Sequence, residues 1–586
     1  MTTTGTVRRP TAGQADLRRR VGRALAAGLA AVGVAALAAC ASIPTSGPVV
    51  EGEATPEDPG QPFVSAASPR RDASPDQIVR GFLAAQAQGA RGSFDVASEF
   101  LTRDAQDDWS PVSQVAILED VPQLDVDEAA IEGGTTTVRA TADVVGTVDE
   151  RGVYTEQAPG RTTEVSYGLV RDADDQWRID VVDDGLTITA TNFARTFKQA
   201  NLYFPTLDRA YLVPDARWFP SRNWQALAVR ETLRGPADWL AGSVATVAPE
   251  GTSLSIDSVP PGEGRVAVPL TDPVTAASPA DRAMLIAQLQ ASLGVPVDIT
   301  VGVGGSELSA DDVPTIGVAT TPDEPVVLSG DQVMSLEGRT TRAVTSAAPL
   351  AGLQPTALAF RGRADDATYV VRDGAARLVT APTAEAGPVT LLTGTSLVAP
   401  SIDRFQYVWS GPQVQAGSLQ VVDLREAGSD AAVSEVAAPW LDGRTVMSLR
   451  VAPDGARVAV VSDSGSGAQV HVAGIVRDET GRPTQLSAPV RVGQPIAAAT
   501  QVTWADRTLL GVLGRASGES EVVVQRVPVG GPTVAASPVE GAVSLASATG
   551  VGTTLVGTSD SSLYAAGTSS LWTKIATEVR LPTYPG

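Results

Sequence analysis

Residues 446–475 read VMSLRVAPDGARVAVVSDSGSGAQVHVAGI. Two apolar runs, VMSLRV and RVAVV, are separated by Ala452-Pro453-Asp454-Gly455, and a third, AQVHVAG, follows Ser464-Gly465-Ser466-Gly467. Runs of this length, rich in Val and broken by Asp, Gly and Ser, predict antiparallel strands joined by tight turns, with Asp454 and Gly455 at the positions that tolerate left-handed backbone. Comparable strand pairs stand at 356–379, 397–424, 499–527 and 542–567, and equivalent residues Leu358, Ile402, Leu449, Val502 and Leu545 are 44, 47, 53 and 43 positions apart. A period of about 40–50 residues with four strands per unit is the pattern of propeller blades. An all-β propeller of five to six or more blades is therefore expected over 325–586, with PVVLSGDQVMSLEG (325–338) pairing with the C-terminal SLWTKIATEVRL (570–581) to close it.

The stretch VAPDGARVAVVSDS resembles the Pro-Asp-Gly turn of TolB-type blades. Upstream, the order NLYF, AYLVP, a helix in NWQALAVRETLRGPADWL, then PEGT, GRVAVPLT, the helix PADRAMLIAQLQASLG and the strand PVDITVGVGG resembles the GerMN domain, over 195–318. Before it, SPDQIVRGFLAAQA places Ile78, Val79, Phe82 and Leu83 on one helical face behind a Ser74-Pro75 start. A second helix is expected over FDVASEFLTRDAQDDW (94–109), then a bent antiparallel sheet ending in the hairpin 162–183. Helices followed by such a sheet look like the NTF2-like cone, over 74–192. The fold class expected is thus multidomain: an NTF2-like α+β domain, a GerMN-like α+β domain and an all-β propeller.

The chain begins differently. Arg8, Arg9, Arg18, Arg19, Arg20 and Arg23 face one acid, Asp16, and are followed by the uncharged run ALAAGLAAVGVAALAA, which ends at Cys40. A basic region, a short apolar run and small residues form a secretory signal pattern, and the run is shorter than the roughly 20 residues that a permanent membrane span needs. Leu37-Ala38-Ala39-Cys40 resembles the bacterial lipobox, in which the cysteine becomes an S-diacylglycerol, N-acyl cysteine and the chain is cut before it. That resemblance implies a signal peptide over 1–39 and, at about 0.8 kcal/mol per buried CH₂, an anchor strong enough to hold the protein to the membrane. Residues 40–73 carry Pro44, Pro48, Pro56, Pro59, Pro62 and Pro69 with little apolar periodicity and read as an extended tether.

Composition narrows the function. Lys198 and Lys574 are the only lysines, a bias that fits a high-GC Gram-positive source, so the expected location is the outer side of the plasma membrane. The net charge is −22, and removal of residues 1–39 brings it to −27. Such a surface repels nucleic acid. With Cys40 the only cysteine, a lipidated chain has no thiol for disulfides, zinc sites or cysteine catalysis.

His471 is the only histidine, so neither a Ser-His-Asp triad nor a multi-His zinc site can be assembled. It alternates with Val470 and Val472 and reads as a packed or blade-surface strand residue rather than a base. GVGTTL (550–555) has Leu where a dinucleotide fingerprint needs its third glycine, and no Walker A loop or Gly-x-Ser-x-Gly elbow is present. Asp172, Asp174 and Asp175 lack the remaining ligands of a calcium loop and read as a solvated turn. Tyr203, Phe204, Trp218, Phe219, Trp224 and Trp239 could form a sugar-stacking face or pack a small core; the core is the simpler reading. Widely spaced carboxylates leave a glycosidase as a remaining catalytic alternative. No cofactor or metal is expected.

Lipobox, tether, NTF2-like unit, GerMN-like unit and propeller in this order resemble the LpqB lipoprotein family of actinobacteria. The resemblance implies a non-enzymatic accessory of the MtrA–MtrB two-component system that contacts the extracytoplasmic part of an MtrB-like sensor histidine kinase in envelope homeostasis and division. Binding of peptidoglycan or another envelope glycan is the alternative.

Overall fold

The computed structural model describes residues 67–586 apart from 260–264, 295–297, 309, 311, 427–432, 551 and 568–570, together with residues 1, 2 and 5. Leu37, Ala38, Ala39 and Cys40, and the tether up to residue 66, lie outside the described residues. The architecture is multidomain, two mixed α/β parts followed by a propeller.

In the first part, Ser74 precedes the helix Pro75–Gly89, and its N–H donates to Gln77 Oε1 at 3.2 Å, which satisfies one of the orphan donors of the first turn. Ile78, Val79 and Phe82 are buried from this helix against a sheet built round the long strand Thr135–Asp149, and Phe82 meets Trp109 at 5.2 Å. Thr135–Asp149 pairs antiparallel with Gln114–Leu118, Gln123–Val126, Tyr154–Glu156 and Thr162–Arg171, and Leu186–Thr189 adds parallel to Gln114–Leu118. The single helix expected over 94–109 is not formed. Two short helices, Asp95–Ser98 and Arg103–Asp108, flank a segment captured by the sheet, where Ile179 N–H donates to Phe100 at 2.9 Å and Thr102 N–H to Ile179 at 2.8 Å. Sheet pairing outweighs the weak helical preference of so short a run. The acid turn is solvated: Asp172 Oδ1 accepts from the amides of Asp174 and Gln176, both at 2.9 Å, and Asp175 pairs with Arg171 at 3.0 Å.

The second part packs the hairpin Phe197–Pro205 and Leu212–Pro220 against the helices Trp224–Arg234 and Pro279–Leu293, with the parallel strands Arg265–Leu270 and Asp298–Val303 beyond them. The segment 245–259 contributes only an isolated bridge, Leu254 to Leu270.

From Val326 onward, the described residues form six blades. The strands Pro355–Arg361, Ser401–Ile402, Thr445–Val451, Ile496–Trp504, Ala542–Ala546 and Arg580–Thr583 touch one another in a closed ring and make the inner wall. Closure is by the last of these: Val326 pairs with Thr583 and Leu328 with Arg580. Only the end of the expected closing segment takes this role. Trp572–Ala576 stays with the preceding blade, paired to Leu563–Ala566.

The second part and the propeller share one core. Leu202, Phe204, Val213 and Leu240 belong to the same buried cluster as Ala452, Val470, Val492 and Val529.

Candidate functional site at the domain junctions

Three junctions position the side chains that could bind a partner or ligand. At the first, between the second part and the propeller, Trp218 Nε1 donates to the Gly530 carbonyl at 2.8 Å, and Ser487 Oγ donates to the Trp239 carbonyl. The hairpin tip reaches the blades through Asp208, whose two oxygens each accept from Arg404 at 2.7 Å. Arg404 also donates to the Asp454 carbonyl at 2.6 Å and stacks over Phe405 at 4.0 Å. Gly455, at φ 72°, makes this approach possible: a Cβ there would lie 3.0 Å from Arg404 Cγ. A cavity of about 340 Å³ lies beside these residues, next to two tight ion pairs, Arg477 on Asp403 at 2.7 Å and Arg457 on Asp454 at 2.6 Å. This arrangement staples the hairpin tip to the blades.

The second junction joins the first part to the propeller through one buried carboxylate. Glu156 accepts from Thr533 N–H at 2.6 Å, Thr533 Oγ1 at 2.7 Å and Gln494 N–H at 3.1 Å. Burial raises its pKa above the usual carboxylate value, and those three donors oppose the rise.

The third junction, between the first and second parts, holds the larger cleft, of about 650 Å³. Phe94, Phe197, Trp218 and Leu227 give it an apolar lining, and Arg222, Arg230 and Arg234 bring cationic side chains to it beside the acids Asp149, Glu150 and Glu231. Arg234 is tied to Glu150 at 3.0 Å, while Arg222 is exposed. A cleft with an apolar floor and a charged rim can seat an amphipathic ligand.

The aromatic residues singled out from sequence do not form one face. Tyr203, Phe204, Phe219 and Trp239 are buried. Trp218 is half-buried against Phe193 at 4.8 Å, and Trp224 carries the Lys198 ammonium at 3.9 Å. Only Trp218 and Phe219 of the six line the cleft. The exposed stacking strip gives way to core packing because the hairpin is covered on both faces, so that even the consecutive Tyr203 and Phe204 are buried.

His471 lies in the strand Ala468–Arg477, buried and 5.3 Å from Trp440. Burial first, then Arg444 and Arg491, push its pKa down to about 4, so the imidazole is neutral at physiological pH. Among the described residues, no group of three or more His, Cys, Asp or Glu side chains is placed to hold a metal ion, and no helix is long and apolar enough to cross a membrane.

Sequence reading missed Glu156, which stands alone in the strand YTE, and two channel arginines, Arg361 and Arg450. Each arginine interrupts or ends an apolar inner strand, in TALAFR and SLRV, and that interruption is the only signal available.

Comparison with known proteins gives a consistent result along the chain. Residues 331–585 match the model described as the lipoprotein LpqB beta-propeller domain, and residues 68–194 match that of the lipoprotein LpqB N-terminal domain. The lipoprotein LpqB of Thermobifida fusca is 27% identical over 94% of this chain and 97% of that one. That of Bifidobacterium longum is 28% identical over 54% of this chain and 58% of the relative. Among solved structures, TolB from Acinetobacter baumannii is similar at 15% identity and a TM-score of 0.32, over 44% of this chain and 66% of that one.

Proposed function

The chain belongs to the LpqB lipoprotein family, and from that premise we propose that it is a non-catalytic accessory of a two-component sensor kinase, held on the extracytoplasmic face of the plasma membrane through Cys40. Its relatives are named as lipoproteins, which supports membrane attachment. The signal peptide over 1–39, with Leu37, Ala38 and Ala39 ahead of the modified Cys40, is the proposed route to that location. The GerMN-like reading of 195–318 and the NTF2-like reading of 74–192 belong to the same proposal.

The observation that carries the accessory role is the stapling of three parts into one body. A continuous apolar core and buried polar ties hold the 650 Å³ cleft and the blade loops in fixed relation. A rigid body that binds one conformation of a kinase better than another shifts the kinase's equilibrium by the difference in binding free energy. The sole imidazole is buried and neutral, which removes the usual general base from solvent. The test is autophosphorylation of a sensor kinase of the MtrB type, reconstituted in membranes with and without this protein. A change in rate that saturates with protein supports the role, and identical rates overturn it.

The third junction favours a second reading, in which an envelope glycan occupies the cleft with Trp218 and Arg222 against it. Co-sedimentation with purified cell wall, lost in Arg222→Glu, supports this reading; equal sedimentation of both proteins removes it.

A further inference from the structure

The inner strands of the propeller end together. Arg361 closes Pro355–Arg361, Arg450 stands at the end of Thr445–Val451, and Thr503 and Trp504 end Ile496–Trp504. These ends, with those of Ala542–Ala546 and Arg580–Thr583, surround a cavity of about 40 Å³ at one mouth of the axial channel. That volume admits a few waters or one small anionic group. No Asp or Glu side chain lines it, although the chain as a whole carries a net charge of −22; Gly586, whose N–H donates to the Phe360 carbonyl at 2.9 Å, is the one lining residue that carries a carboxylate, at the chain end.

The two arginines are under-partnered. Among the described residues the Arg450 side chain donates to the Pro400 and Leu449 carbonyls alone, at 3.1 and 3.0 Å. The Arg361 side chain makes no hydrogen bond or ion pair among the described residues, and the carboxylate whose field reaches it, Asp403, is already taken by Arg477 and by Trp409 Nε1. Arg372 adds a third positive charge that acts on Arg450 while its own donors face Thr356 and the Leu397 carbonyl. Desolvation first, then Arg372, pushes the Arg450 pKa down to about 10, and desolvation likewise lowers that of Arg361. Both side chains are half-buried, and partly desolvated cations without a close counter-charge are costly unless something compensates them. Thr503 and Ser547 are buried on the same wall, the Ser547 hydroxyl already engaged with Thr554 Oγ1 at 2.9 Å and the Ala548 carbonyl at 3.2 Å.

We propose that this channel mouth is an oxyanion site, in which the Arg361 and Arg450 guanidinium groups bind a single phosphate or carboxylate group presented by a ligand entering along the propeller axis. Guanidinium donors suit both oxyanions through paired N–H contacts. One-signed charge in a narrow, partly desolvated mouth concentrates the opposite charge there. The site shares no lining residue with the cleft of the third junction.

The test is titration of the full chain in detergent, with inorganic phosphate and separately with acetate, by calorimetry at low ionic strength. A variant extended by four glycines beyond Gly586 is run alongside, so that a carboxylate at the chain end cannot occupy the site unnoticed. Saturable 1:1 binding is expected, weakened at least tenfold in Arg361→Gln. Arg361 has no structural partner to lose, so that variant keeps the fold; Arg450→Gln is the second variant, with its melting temperature checked first. Tighter phosphate than acetate assigns a phosphate-bearing ligand, and the reverse assigns a carboxylate-bearing one. Absence of saturable binding for both anions, or equal binding by wild type and Arg361→Gln, overturns the proposal.

Discussion

Glu156 and Thr533, 377 positions apart, are joined twice, the carboxylate taking the Thr533 amide at 2.6 Å and its hydroxyl at 2.7 Å. Because the folded pKa of Glu156 is raised, its linkage favours the folded state fully below the unfolded value of 4.5 and is lost as pH rises through the folded value. Glu156→Gln should flatten stability against pH in that window, as read by urea denaturation from pH 4 upward. Glu156→Ala strands the amides of Thr533 and Gln494, and should cost about 1–3 kcal/mol at pH 7. An unchanged profile in the Gln variant would place the pH dependence elsewhere.

His471 works with the opposite sign. Its folded pKa is about 4 against 6.5 unfolded, so the stability it contributes is present above 6.5 and lost as pH falls from there through about 4. As the only imidazole it gives an unambiguous NMR signal. No titration between pH 5.5 and 8 is expected in the folded protein. A midpoint near 6.5 would mean that the ring is solvated.

These two groups mark what sequence could and could not convey. The propeller was legible because strand spacing and the Asp454-Gly455 turn are local, and the turn forms as expected, with Ala452 accepting from Gly455 N–H at 2.8 Å. The helix Pro279–Leu293 was legible from Ser278-Pro279 and its apolar spacing, and Ser278 Oγ accepts from the Asp281 amide at 3.1 Å. The segment around Phe100 and Leu101 was misread because its partner, Ile179, lies far along the chain. Glu156 and Arg361 were invisible for the same reason: their environments are assembled by residues hundreds of positions away, and no local periodicity encodes that.

The pair Arg217 and Asp215 is buried and bidentate, with Nε to Oδ1 at 3.0 Å and the terminal nitrogen to Oδ2 at 2.6 Å. Arg217→Met leaves Asp215 uncompensated and should destabilise by about 3–5 kcal/mol. Adding Asp215→Leu removes that charge but deprives the Ala237 amide, 2.8 Å from Oδ2, of its acceptor. The double variant should therefore recover part of the loss and remain about 1–3 kcal/mol below wild type. Strict additivity in the double-mutant cycle would contradict the coupling.

At Gly455, alanine meets two penalties. The left-handed backbone costs roughly 1–2 kcal/mol for a residue with a Cβ. The new atom also sits 3.0 Å from Arg404 Cγ and 3.1 Å from the Phe405 ring, so both side chains must shift by a few tenths of an ångström, against the Arg404 contact to Asp208. Gly455→Ala should lose more stability than Arg404→Ala, measured side by side by denaturant midpoint. The reverse order would show that Arg404 carries the contact and the turn relaxes freely.

The shared core has a consequence for locating any partner by truncation. Ala452, Val470, Val492 and Val529 of the blades are packed with Leu202, Phe204, Val213 and Leu240 of the second part. A chain cut near residue 322 leaves those blade residues facing water, and at about 25 cal/mol per Å² the loss is large beside the 5–15 kcal/mol that stabilises a typical folded protein. It also removes the acceptor of the Gln494 and Thr533 amides and the donor to the Gly530 carbonyl. The chain 67–586 should therefore unfold in one calorimetric transition, and 322–586 should melt lower or aggregate. A partner's failure to bind either fragment would then reflect unfolding, so contacts are better mapped by charge substitutions at exposed apolar positions such as Val414, Val534 and Leu571. Two separate transitions, with the isolated propeller keeping its own melting temperature, would show that the parts fold independently and that truncation is a fair probe after all.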